Sequence, residues 1–222
     1  MKNIFARGGI EFLAVFLGIA LSLWVDDYRE EKELKNRLED DFQKIYKEVQ
    51  SNIKNIDNII KKNRNHLKSE SKLLDIINKK EKYSFDKSID LIDGLKWPTF
   101  FGETTAYRTS IASGRFNTSD RDTLVRSISL LYEHYFVRLT LNGDILDQRA
   151  FDFLTKYAVK FNKPRFNQQN IDTLKLEKYF FSDEFHNGLL STHDIRKNYY
   201  MHRLNETKSH LNRVQKIFDS LR

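Results

Sequence analysis

The chain has 222 residues, 31% of them charged, with 38 Lys and Arg against 31 Asp and Glu, and it contains 2 Pro, 8 Gly and no Cys. So few turn formers argue against a β-sandwich or barrel, and a chain without Cys has no disulfide framework, zinc ribbon or thiol catalysis. The net charge of +7 is a modest excess, so its distribution matters more than its size.

Residues 8–28 read GGIEFLAVFLGIALSLWVDDY, and from Phe12 to Val25 they carry no charge. Those 14 uncharged residues span about 21 Å as a helix and the 18 from Gly8 about 27 Å, close to a hydrocarbon core of about 30 Å. Lys2 and Arg7 precede the run, and Trp24 and Tyr28 stand where interfacial aromatics are expected. We read Phe12, Leu13, Val15, Phe16, Leu17, Ile19, Leu21, Leu23, Trp24 and Val25 as the lipid-facing body of a transmembrane anchor, with Glu11 among the headgroups. A buried core helix is the first alternative; the run DDYREEKELKNR that follows at once speaks against it. A signal peptide cut after Ala20-Leu21-Ser22 is the second, opposed by Glu11 and by the bulky Leu23-Trp24-Val25. Lys2, Arg7 and the terminal amine favour a cytoplasmic N-terminus. Counting Arg29, Lys32, Lys35, Arg37 and Lys44 alone favours the reverse.

Beyond the anchor, Leu34, Leu38, Phe42, Ile45, Val49, Ile53, Ile56, Ile60, a polar Asn63 and Leu67 recur at a mean step of 3.67. That period predicts one long helix to about Ile77, whose stripe packs on partner helices in a bundle or coiled coil, ended by Asn78-Lys79-Lys80-Glu81-Lys82. Residues 83–118 read as irregular, with a short helix around Ile89, Leu91 and Ile92 capped by Ser84 or Asp86. A second short helix there ends at a left-handed Gly114. Ser119 and Asp122 resemble a capping box for the next helix. It carries Leu124, Ile128, Leu131, Tyr135, Leu139, Ile145 or Leu146, Phe153 and Tyr157, with a kink at Gly143 and a stop at Asn162-Lys163-Pro164. Residues 165–181 are ambiguous. From Ser182 or Asp183 a last long helix runs through Phe185, Leu189, Ile195, Tyr199, Leu204, Leu211, Val214, Phe218 and Leu221. The expected fold is all-α: a transmembrane helix in residues 1–28, then an elongated antiparallel bundle of about three long helices plus short ones in residues 29–222.

The opening Gly-Ile-Glu, the apolar run with Gly-Ile inside it, and Trp24 followed by acids, Arg and Glu resemble an uncharacterised family of small single-pass membrane proteins common in Bacteroidota. Ala106-Tyr107, Ile111, Ser113-Gly114, Leu124, Leu131 and Tyr132 to Tyr135 fit the same resemblance. Members carry a Gly-Glu-led apolar helix ending in a Trp-containing, Asn- or Asp-rich boundary before a long charged helix; Asp26-Asp27 stands here where Asn is commoner. The resemblance implies topology and supplies no activity.

No chemistry-bearing motif emerges. His186 and His193 lie two helical turns apart, no HExxH pair exists, and there is no P-loop, GxGxxG or GxSxG. Asp120 and Asp122 read as a helix start, favoured by the helix dipole. No catalytic, cofactor-binding or metal-binding residue is nominated. Residues 61–82 hold 8 Lys and Arg against 3 acids and residues 196–222 hold 7 against 2, whereas residues 26–57 hold 7 against 10. Trp97, Phe100 and Phe101, on an irregular segment, are candidate partner contacts, or else plugs for the end of the bundle. The expectation is a non-catalytic, membrane-anchored interaction, scaffold or sensor-like protein, single-pass in the cytoplasmic (inner) membrane with a periplasmic body. Its partners are the bilayer and another protein or a second copy, with nucleic acid disfavoured. The alternative is a cytoplasm-facing body that binds nucleic acid or an acidic partner through its basic helices.

Overall fold

A computed structural model of the chain describes residues 2–161 and 172–221, with side chains from residue 12 onward. Its described residues are helical or irregular, with no strand among them, so the fold class is all-α. The first helix, α1 (Lys2–Ile77), is continuous, as the apolar stripe predicts. It ends at Ile77, and two residues on, Lys79 takes a left-handed φ of 59°. There Asn78 N–H reaches Leu74 O, while Lys80 and Glu81 N–H both reach Asp75 O, which satisfies carbonyls that the helix end leaves open.

The chain divides into two packed units, Met1–Tyr46 with Thr105–Arg121 and Lys47–Thr104 with Asp122–Arg222. In the first, α1 meets α3 (Thr105–Ala112) and a 3-10 turn, Arg115–Thr118, entered through Gly114 at φ 75°. Phe42, Tyr107 and Phe116 form its aromatic core, with the Tyr107 and Phe116 rings edge to face at 5.6 Å. Buried Asp41 accepts from Ser110 Oγ at 3.1 Å and from both Nε and Nη2 of Arg115, a forked pairing that raises the guanidinium pKa.

The second unit holds α2 (Phe85–Asp93) and two helical runs. One is α4 (Asp122–Leu130), a π segment Leu131–Phe136, α5 (Val137–Asp152), a second π segment Phe153–Tyr157 and a 3-10 turn Ala158–Phe161. After α6 (Thr173–Phe180) comes the other: α7 (Asp183–Asp194), a third π segment Ile195–Tyr200 and α8 (Met201–Ser220). Ser182 caps α7, its Oγ accepting from Phe185 N–H, and Asp172 caps α6 through Lys175 N–H. Phe153, Phe161, Phe180 and Phe185 join Leu73, Ile76 and Ile92 in its core.

The π segments correct the predicted register. A π turn takes one more residue than an α turn, which rotates the following side chains by about 100°. At the segments themselves the even helical count expects Tyr135, Tyr157 and Tyr199 in the core, whereas the buried residues are Phe136, Ala158 and Tyr200, each one position later; Leu139, Phe153, Leu204, Leu211, Val214 and Phe218 are buried as expected. Two rings in the π segments, buried Phe136 and half-buried Tyr157, need a glycine opposite. A Cβ on Gly102 would lie 2.5 Å from the Phe136 ring and one on Gly188 2.6 Å from the Tyr157 ring. Gly143, expected to kink the helix, lies inside α5, so the departures from α geometry come at the π segments instead. Leu146 rather than Ile145 is buried. The Ser119–Asp122 capping box is absent: Ser119 Oγ accepts from Arg121 N–H two residues on, a local turn ahead of α4. The stop at Asn162-Lys163-Pro164 lies outside the described residues, as does the ambiguous stretch up to residue 171.

No helix among the described residues is long and apolar enough to cross a membrane. The predicted span begins at Gly8, and the side chains of residues 8–11 lie outside the described set.

Candidate interaction site

In the second unit the buried seam of α1 is not uniformly apolar. Asn52, Asn63 and Glu70 are fully buried and Glu48 nearly so. Buried polar groups demand partners, and several of them come here from segments that depart from regular α-helix. Tyr132, in the first π segment, donates its hydroxyl to Glu48 Oε1 at 2.6 Å. Asn52 clasps Glu103 twice, Nδ2 to the carbonyl and Oδ1 from the N–H, each at 2.8 Å. Asn63 Nδ2 donates to Pro98 O at 2.8 Å, and Asn55 Nδ2 to Phe101 O at 2.9 Å.

These contacts hold down residues 95–104, which form neither helix nor strand. Trp97-Pro98 blocks helix there, because proline disfavours it at the preceding residue, so the backbone groups must find other donors and acceptors. The third π segment supplies two more. Phe100 N–H donates to Tyr200 Oη at 2.7 Å, and Arg196 Nη2 donates to Lys96 O at 2.6 Å. The segment is thus a strap pinned by side chains from two helical runs.

Arg196 also links the strap to a buried ionic cluster. Its Nη1 lies 3.5 Å from Glu70 Oε1, both side chains being fully buried, and Glu70 Oε2 lies 3.3 Å from His193 Nδ1. The guanidinium stands 5.4 Å from the Trp97 ring centroid, a cation–π contact. Burial pulls the Arg196 pKa down to about 10 against the opposing pull of Glu70, so it stays cationic at neutral pH. Burial also holds the His66 imidazole below its usual value, with Arg196 adding to the effect. The cluster sets a buried cation against the buried Glu70 carboxylate. Among the described residues no group of His, Asp and Glu gathers as a metal site.

Of the three predicted partner contacts, only Phe101 is presented to solvent, 76% exposed. Phe100 is buried against Phe136 with rings 5.4 Å apart, and Trp97 is half-buried against Phe153. Phe100 is therefore a buried packing residue, and of the two roles the sequence left open it does not present itself as a contact. The side chains that the sequence assigned to an anchor, Phe12, Leu13, Val15, Phe16, Leu17, Ile19, Leu21, Leu23, Trp24 and Val25, are all exposed, from 43% to 69%. Sequence reasoning passed over Asn52, Glu70 and Arg196. Asn52 and Glu70 fall, with Asn63, on the helical spacing of the stripe, and a polar residue on an apolar period was the signal that could have found them.

The sequence pattern of a family of unknown function, DUF6090, matches residues 11–178. The chain belongs to that family. The matched part includes Glu70 and the strap, while Tyr200, Arg196 and His193 lie beyond it. No curated protein matches the chain. No solved structure matches it either.

Proposed function

We propose that the protein is a membrane-anchored helical interaction protein without catalytic activity, whose body meets another protein. The observation that carries the reading is the run of ten apolar side chains from Phe12 to Val25, all exposed on α1. Each gains about 1.5–3 kcal/mol on transfer from water to an apolar phase, and an exposed apolar surface of this extent is a site of membrane or protein contact. The stacked Trp24 and Tyr28 rings, 6.2 Å apart, suit the membrane–water boundary. Counted from Gly8, the proposed span reaches 18 residues with Glu11 as its one charge.

The N-terminus then faces the cytoplasm, with Lys2 and Arg7 before the span, and the body lies outside the inner membrane, in a periplasm where the cell has one. The test is a reporter active only outside the cytoplasm, fused after Arg222, with membrane retention checked in the same preparation. An active, retained fusion is expected. A silent but retained one places the body in the cytoplasm and favours the alternative, in which the basic helices bind nucleic acid or an acidic partner. An active but released one means that the run is removed after Ser22.

A further inference from the structure

Exposed Lys61, Arg64, Lys68 and Lys72 recur at steps of three and four residues, so they stack along one face of α1. Like charges at that spacing repel and weaken a helix. Elsewhere the same helix avoids this: Glu31 pairs with Lys35, Glu33 with Arg37 and Asp40 with Lys44. None of the four stacked cations makes an ion pair with a described residue, and neither does Lys197. Two surface depressions of about 410 and 230 Å³ adjoin the stack, and Lys68 lines both. Lys197 lines the first, and Lys208, tied to Asp57 at 2.5 Å, lines the second. The result is a groove within the second unit whose lining holds six cations, Lys61, Arg64, Lys68, Lys72, Lys197 and Lys208, against three acids, Asp57, Asp75 and Glu81.

We infer that this groove docks an extended, Asp- and Glu-rich segment of a partner protein; the inference rests on the reading of the chain as an interaction protein and names the partner's chemistry. From Lys61 to Lys72 the stack spans about 16 Å, the length of about five residues of extended chain. The lining also holds the acceptors Asp57, Asp75, Glu81, Asn65 and Asn205. A peptide brings backbone N–H donors to meet them, whereas a phosphodiester backbone brings only more negative charge. No Phe, Tyr or Trp lines either depression to stack a base, the His193 ring there is nearly buried beside Glu70, and only Arg64 offers the planar fork that phosphate favours.

The test is fluorescence anisotropy with the full chain in detergent micelles and three labelled probes. These are a (Asp-Glu-Gly)4 peptide, its (Asn-Gln-Gly)4 counterpart and a 20-nucleotide single strand of DNA. The acidic peptide binds, the neutral one does not, and raising NaCl from 50 to 200 mM weakens the complex. Lys68→Glu with Lys72→Glu lowers affinity at least about tenfold, while Lys156→Glu, outside the groove, leaves it unchanged. Circular dichroism confirms that each variant is folded. DNA bound as tightly as the acidic peptide, no peptide binding at about 1 mM, or salt-insensitive binding overturns the inference. So does self-association of the chain that the Lys68→Glu/Lys72→Glu variant abolishes, since the occupant is then a second copy. Peptide binding with a chain that fails to stay in membranes keeps the groove and removes the anchor, so the two failures are separable.

Discussion

Residues 12–25 and residues 48–70 belong to one uninterrupted helix, yet they treat burial in opposite ways. In the first stretch every large apolar side chain is exposed; in the second, Glu48, Asn52, Asn63 and Glu70 are among the most buried groups of the chain. Helix geometry is indifferent to this choice, because α1 satisfies its own backbone in either setting. What differs is the partner. The second stretch has helices and a strap of its own chain against it, and its polar groups specify where each must sit. The first has apolar surface and, in our reading, lipid as its partner.

Arg196→Ala breaks that polar seam most severely, because it leaves the Glu70 carboxylate buried with only His193 nearby. It destabilises the second unit by about 3–5 kcal/mol in urea unfolding. Arg196→Met combined with Glu70→Leu recovers most of the loss, since no unpaired charge remains. A single substitution costing under about 1 kcal/mol contradicts the assigned role of the cluster.

Leu17→Arg sharpens the other half of the contrast. A cation near the middle of the proposed span costs about 3 kcal/mol of insertion, so the membrane-retained fraction falls. Urea unfolding of the second unit stays unchanged. Coupled loss of both is the unfavourable result.

A smaller effect follows from Asn52→Ala, which strips the hydrogen bonds from both backbone groups of Glu103. The expected cost is about 1–3 kcal/mol, with faster hydrogen exchange at the Glu103 amide. Unchanged exchange there shows that Asn52 does not pin the strap.

The smallest effect is a pH dependence. Burial lowers the pKa values of His66 and His210, against the hydrogen bond that His210 Nε2 makes with Ser127 O. The unfolded chain takes up these protons at a pH where the folded chain does not. Stability is therefore complete above about pH 6.5 and declines as pH falls through the range below it. Melting temperature between pH 7.5 and 5.5 should drop, and His66→Gln with His210→Gln should flatten the slope.

Helix positions were readable because apolar spacing at 3.67 residues leaves little else for α1 to be, and because Ser182 and Gly114 carry caps and turns with local causes. Leu139, Phe153, Leu204, Leu211, Val214 and Phe218 were read correctly as core, but the choice between neighbours at each π segment was not readable. An inserted residue leaves no local mark, and tyrosines occur on both sides at 199 and 200. Phe100 and Phe101 are likewise neighbours of one type, and contacts far along the chain, of Phe100 with Phe136 and Tyr200, tell inside from outside. Arg196 was hidden for a further reason: a buried arginine is specified by Glu70 and Lys96, residues far from it in sequence.

The most direct test of the central claim is alkaline carbonate extraction of membranes from cells making the full chain. The account predicts that the protein stays in the membrane pellet, and that Leu17→Arg with Leu21→Arg releases it to the supernatant. A native chain extracted like a peripheral protein contradicts the account, and the exposed face of residues 12–25 then needs a protein partner instead of a bilayer.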